Sequence, residues 1–196
     1  MANVDAPFGF RQVGGLGSRP TSEGTSKYII ESGFADSIFA GDIVEAGAGT
    51  SEGGTAIAAG YVGNAAATSS SRNLGIFNGC FYDDPTTSKP TFKNYWPTGT
   101  AAEAQAFVYD NPDDLFEVQS EGTLVRATVA RAVDMAYTTG VTINGRSKEE
   151  ISVTAGADLA VRVVRISGDP ANSDIGSANA NWIVKFNQHI YYNYST

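Results

Sequence analysis

Nucleophilic and metal chemistry need histidines and cysteines in company, and this chain has one of each, His189 and Cys80. One cysteine excludes an intrachain disulfide framework and any multi-cysteine zinc site. One histidine excludes every zinc motif that requires two. His189 closes the alternating stretch Trp182–Ile190, beside Tyr191, Tyr192 and Tyr194, where a surface or interface position is expected. Cys80 lies between Gly79 and Phe81 in an apolar run and reads as a buried, inert thiol. No Gly-x-Ser-x-Gly nucleophile elbow is present. Gly14-Gly-Leu-Gly17 lacks the downstream Gly-Lys-Ser/Thr of a phosphate loop.

Carboxylates remain. Asp110, Asp113, Asp114 and Glu117 cluster, and Asp83-Asp84 forms a second acidic pair. Read as a calcium loop from Asp110, the third position is Pro112 and the sixth is Leu115, where an oxygen ligand and a glycine are needed. That motif fails. A glycosidase pair, with carboxylates about 5–10 Å apart, has no sequence signature, and a solvated turn is the plainer reading. These residues build no active site, and they imply neither a metal nor a cofactor.

The elements that would position such groups are β-strands. With 13 basic and 21 acidic residues, the chain has a formal net charge of −8. That opposes nucleic-acid binding, which rests on basic side chains neutralising phosphates. Charged residues make up 17% of the chain, against about 25% in ordinary soluble domains. Its surface is therefore covered by Ser, Thr, Asn and Gly, or partly hidden against partners. A hydrophobic share of 42% is too high for intrinsic disorder. The 196 residues suit one domain, which buries about 70% of its unfolded surface. No run approaches the roughly 18 apolar residues of a membrane-spanning helix. The opening Met1-Ala-Asn-Val-Asp-Ala-Pro7 has no secretory character, so synthesis in the cytoplasm and no membrane association are expected.

Residues 1–26 differ from the rest: Gly14, Gly15, Gly17, Pro20 and Gly24 oppose helix and long strand. Yet Phe8, Phe10, Val13 and Leu16 are apolar residues that a solvated tail would not need. This stretch reads as an extended arm docked on the same chain or a neighbour, preceding a β domain over 27–196. Short apolar runs follow at Tyr28–Ile30, Ile38–Phe39, Ile43–Val44, Ala56–Val62, Gly75–Phe77, Cys80–Tyr82, Ala106–Tyr109, Leu115–Gln119, Ile151–Val153, Leu159–Ile166 and Trp182–Ile190. β-Branched or aromatic runs between turn signals predict a mainly β fold: one compact β-sandwich or β-barrel with at most one or two short helices. Val125, Val129 and Val133 sit at helical spacing, so a short helix within Leu124–Met135 is expected. Asn111-Pro-Asp-Asp114 suits either one capped helical turn or a turn between strands. Asn144-Gly145 predicts a type I′ hairpin turn.

Several of these segments, in order, resemble one family. Met1-Ala-Asn-Val-Asp-Ala-Pro-Phe-Gly-Phe-Arg11 is similar to the opening of head decoration, or cement, proteins of tailed bacteriophages. Phe39-Ala-Gly-Asp-Ile-Val44, Gly75–Tyr82, Tyr95–Thr100, Val108–Gln119 and Trp182–His189 continue the likeness. Phe10 and Gln12 stand where the family usually has Leu and Pro, while 140–151 and 167–180 match no part of its pattern. The resemblance implies a protein without catalytic residues, found on the outer surface of the virion. It would bind there as a homotrimer and tie major capsid protein subunits together. Candidate contacts of the arm with the capsid or a neighbouring copy are Val4, Pro7, Phe8, Phe10, Arg11, Val13 and Leu16. A second class is a carbohydrate-binding virion module that stacks sugars on Trp96, Tyr95 or Tyr82. A third is a glycan-degrading β-fold enzyme using Asp113 or Asp114.

Overall fold

A computed structural model describes residues 2–17, 24–47, 49–51, 53–66 and 73–192. The structure is 44% strand and 2% helix. The mainly β expectation therefore holds.

Two antiparallel sheets carry the architecture. The first is built from β1 (Arg11–Gly15), β10 (Asp114–Gln119), β14 (Asn181–Phe186), β13 (Val161–Ile166), β11 (Ala132–Ala136) and β12 (Glu150–Gly156), in that spatial order. The second runs β2 (Ser26–Ile30), β9 (Ala104–Tyr109), β6 (Asn73–Asp83), β4 (Ile43–Ala46) and β5 (Val62–Asn64). The far half of β6 pairs instead with β7 (Pro90–Lys93), and β3 (Ile38–Phe39) with β8 (Tyr95–Trp96) forms a separate ribbon.

The second sheet is apolar on both faces. Ile43 and Ile76 join the core made by Phe116, Val133, Val163, Trp182 and Phe186 of the first sheet. Val44, Phe77, Ala106 and Val108 face the other way, into a core closed by Phe34, Ile38, Ile57 and Trp96. Side chains two apart on a strand share a face, yet Leu74 belongs to the second core and Ile76 to the first. Opposite Val44-Glu45, β6 carries the extra residue of a bulge, which reverses the alternation. A second bulge separates Phe77 from Cys80, and there Gly79 has φ +119°. It keeps Cys80 and Tyr82 inside and turns Phe81 outward.

Three local expectations are corrected. Within Leu124–Met135 only a 3-10 turn forms, at Arg126–Thr128, and 132–136 is strand. Val125 offers no side-chain cap, Ala130 sits at φ +66°, and Val133 pairs with Val161 in the core. Helical spacing there is overridden by tertiary packing. At Asn144-Gly145 only Gly145 has positive φ, whereas a type I′ turn needs two such residues. The loop is closed by the Val141–Arg146 bridge and a Gly145 N–H bond to the Val141 carbonyl, with Ile143 exposed. Of Ala56–Val62, only Val62 enters a strand. Asn111–Asp114 is a turn between β9 and β10, with Asn111 accepting the Asp113 N–H at its side-chain oxygen.

Candidate functional site

The amino-terminal segment is held by side-chain amides before it becomes a strand. Asn3 donates to the carbonyls of Asp174 (3.1 Å) and Ala178 (2.9 Å). The Val4 N–H donates to Asn172 Oδ1 at 2.8 Å, and Asn172 Nδ2 returns a bond to the Val4 carbonyl at 3.0 Å. Gln119 does the same one step further on, taking the Ala6 N–H at 3.0 Å and donating to the Val4 carbonyl at 2.9 Å. A carboxamide offers one acceptor and two donors, so Asn172 and Gln119, both buried, stand in for a neighbouring strand.

Next comes a close approach of backbones. The Phe10 N–H donates to the Gly41 carbonyl at 2.9 Å. Gly9 has φ +74°, and a Cβ there would lie 2.4 Å from Ser147 Cβ, so only glycine fits. Beneath this contact, buried Asp42 accepts bonds from the Ser147 hydroxyl and, at 2.7 Å, the Phe39 N–H. Burial pushes its carboxyl up to about 7, although both bonds work the other way. Glu149 accepts the Ile43 N–H at 2.9 Å. Glu150 is also pushed up to about 7, first by burial and then by the charges of Asp5 and Glu121.

β1 then pairs with β10 as the edge strand of the first sheet. Arg11 bonds Glu117, which also takes the Ser167 hydroxyl, and its guanidinium lies 5.0 Å from the Phe8 ring centroid. Gln12 bonds Asp114, itself held by Asn111 at 2.9 Å. Val13 is the extra residue of a bulge. An open cleft of about 500 Å³ runs beside the segment, lined by Phe8, Arg11, Asn78, Asn94, Tyr109 and Arg146 among others.

The seven candidate contact residues thus divide. Phe10 is only 3% exposed and belongs to the core between the sheets. Pro7 and Phe8 are half-buried, and Val4, Arg11, Val13 and Leu16 are exposed. Of the two docks open to the arm, its own chain or a neighbour, residues 3–16 take the first. The rest of the expected arm includes 18–23, which lie outside the described residues. Asn172 and Ser147 lie outside the segments that carry the resemblance, whereas Gly9, Gly41 and Gln119 lie inside them.

The other candidates bond or pack within the chain. Asp110 accepts the Tyr28 hydroxyl at 2.7 Å, and Asp113 the Tyr192 hydroxyl at 2.9 Å with Lys185 at 3.4 Å. His189 is buried rather than at the surface, against Phe186, with Nδ1 accepting the Tyr191 N–H at 3.2 Å. Burial lowers its pKa, outweighing the Leu74 backbone and the Asp110 charge. Cys80 is buried as expected, and burial pushes its thiol up to about 12. Two of the three aromatic residues considered for stacking sugars, Trp96 and Tyr82, are buried, and Tyr95 is half-buried. Trp96 is fully buried and donates to the Phe34 carbonyl at 3.1 Å, Tyr82 packs edge-on against it, and Tyr95 is stacked on Phe39.

No family model, no curated protein and no solved structure matches the chain.

Proposed function

We propose that this chain is a structural virion protein, not an enzyme. It binds the outer surface of a phage capsid, as a homotrimer, and stabilises contacts between major capsid protein subunits. One observation carries this reading. The segments on which the resemblance rests lie far apart in sequence but form one continuous unit. The opening segment bonds the Gly41 turn through Phe10, β1 pairs with β10, and β10 pairs with β14. The motifs that would define the family are therefore the frame that holds the amino-terminal segment along a sheet edge.

Val4, Val13 and Leu16 leave apolar surface beside that edge, with Arg11 between them. An exposed edge bearing apolar side chains can add a strand or an apolar contact from a partner. Several modest contacts in one trimer combine by avidity. A net charge of −8 disfavours capture by DNA.

Co-sedimentation with purified undecorated heads tests this reading. The native chain should pellet with the heads. The triple variant Val4→Asp, Val13→Asp, Leu16→Asp should bind at least about tenfold more weakly while keeping its melting temperature. A native chain that stays in the supernatant at every concentration would overturn the proposal.

A further inference from the structure

The open cleft of about 500 Å³ beside the amino-terminal segment lies where β1, the edge of the first sheet, meets the second sheet. Its volume is within the range of roughly 300–1,000 Å³ common to small-molecule sites. Ala40 and Gly41 line it, and their backbone is fully engaged. The Ala40 N–H donates to the carbonyls of Asn94 (2.8 Å) and Gly145 (3.0 Å), and the Ala40 carbonyl accepts the Ser147 N–H at 3.0 Å. The Gly41 N–H donates to the Phe77 carbonyl at 2.8 Å, and the Gly41 carbonyl holds the Phe10 N–H at 2.9 Å. These bonds fix four stretches of chain around the cleft. They also leave no free backbone group at Ala40-Gly41 for an added strand, so a ligand there is read by side chains.

Those side chains are cationic and polar. Arg11 and Arg146 line the cleft and, among the described residues, no Asp or Glu does, in a chain with 21 acidic and 13 basic residues. Arg11 is engaged with Glu117. The Arg146 guanidinium is not: among the described residues it has no ion-pair or hydrogen-bond partner, and neither have the carboxamides of Asn78 and Asn94, which also line the cleft. The root of Arg146 is held, with its N–H on Asn144 Oδ1 at 3.0 Å and its carbonyl accepting the Val141 N–H at 2.8 Å. A guanidinium fork pairs best with a carboxylate. A carboxamide sets an acceptor beside two donors, which suits hydroxyls that both donate and accept. Half-buried Phe8 and Tyr109 add ring surface to the lining. A carboxylated sugar combines an anion, hydroxyls and an apolar C–H face in one small unit. A simple anion would leave the amides and rings unused, and an acidic peptide would bring backbone groups that Ala40-Gly41 cannot pair.

We infer that this cleft binds a uronic acid unit of an acidic polysaccharide, with the carboxylate on Arg146 and the hydroxyls on Asn78 and Asn94. The site does not rest on the capsid reading and stands or falls without heads.

Isothermal titration of the full chain tests it, with trimers of galacturonate, glucuronate and mannuronate as probes. At least one should bind saturably with a dissociation constant below about 5 mM, and its neutral methyl ester at least about tenfold more weakly. Arg146→Ala should weaken binding about tenfold or more, and Arg146→Lys by less, since lysine keeps the charge and loses the fork. Asn78→Ala and Asn94→Ala should each weaken it roughly 3- to 10-fold. All three positions are exposed, and an unchanged melting temperature confirms that each variant is folded. No saturable binding of any trimer up to about 5 mM would overturn the inference. So would a neutral ester bound as well as its acid, or binding indifferent to Arg146→Ala or to both asparagine variants. A tetraglutamate peptide bound as tightly as the best sugar would overturn it too, and would assign the cleft to acidic peptides.

Discussion

Replacing Phe10 by Ala separates a segment docked on its own chain from one that folds only on a partner. The ring is 3% exposed, and its neighbours come from both sheets. Its backbone N–H is anchored on the Gly41 carbonyl at 2.9 Å, so the segment cannot slide to refill the space. Truncating a buried phenylalanine in a site that cannot collapse costs about 3–5 kcal/mol. For a domain of this size each kcal/mol moves the melting temperature by about 2–4 °C, so the midpoint should fall by roughly 6–20 °C. Thermal unfolding followed by circular dichroism measures this directly. Val4→Ala is the internal control: Val4 is 57% exposed, and its truncation should stay within about 0.5 kcal/mol. A Phe10→Ala midpoint within about 2 °C of the native one would refute the reasoning. The segment would then not be part of the free chain's core.

Gly9→Ala should destabilise by two separate routes, positive φ and collision with Ser147. Adding Ser147→Gly should restore part of the lost melting temperature, and no recovery would refute the contact. In the folded chain Asp42 keeps its proton up to about pH 7, against 3.8 for the free side chain. The folded state therefore binds more protons across that window, and this contribution to stability is full below 3.8 and lost as pH rises through 7. Asp42→Asn should accordingly stabilise the chain more at pH 8 than at pH 5, as read by denaturant unfolding; an effect independent of pH would contradict the burial. With its thiol pushed up to about 12, Cys80 should react with a thiol reagent only on unfolding, and labelling of the native chain within minutes would disprove that.

Most strands were legible because their residues alternate or carry β-branched and aromatic side chains between glycines: β2, β4, β9, β10, β13 and β14 all fall on predicted runs. β1 was not, since Gly14 and Gly15 make a poor strand by propensity; β10 supplies its partner hydrogen bonds. The strand within Leu124–Met135 likewise follows from a partner distant in sequence, β13, whereas β7 is paired by β6 just before it. In the segment's dock, apolar content marked Phe8 and Phe10 as placed residues, but nothing local told a core position from a contact position. The amides that hold the segment, Asn172 and Gln119, lie over 100 residues away. His189 shows the same limit: its type and its place near the end of the last strand suggest a surface role, and burial is decided by what folds over it.

The most direct test of the structural role compares purified heads with and without the bound chain, heated or osmotically shocked while DNA release is followed by dye fluorescence. Decorated heads should release DNA at a higher temperature, or survive a steeper dilution, than bare heads. The Val4→Asp, Val13→Asp, Leu16→Asp variant should leave them at the bare-head value. Saturating, verified binding of the native chain with no change in either threshold would contradict a stabilising function.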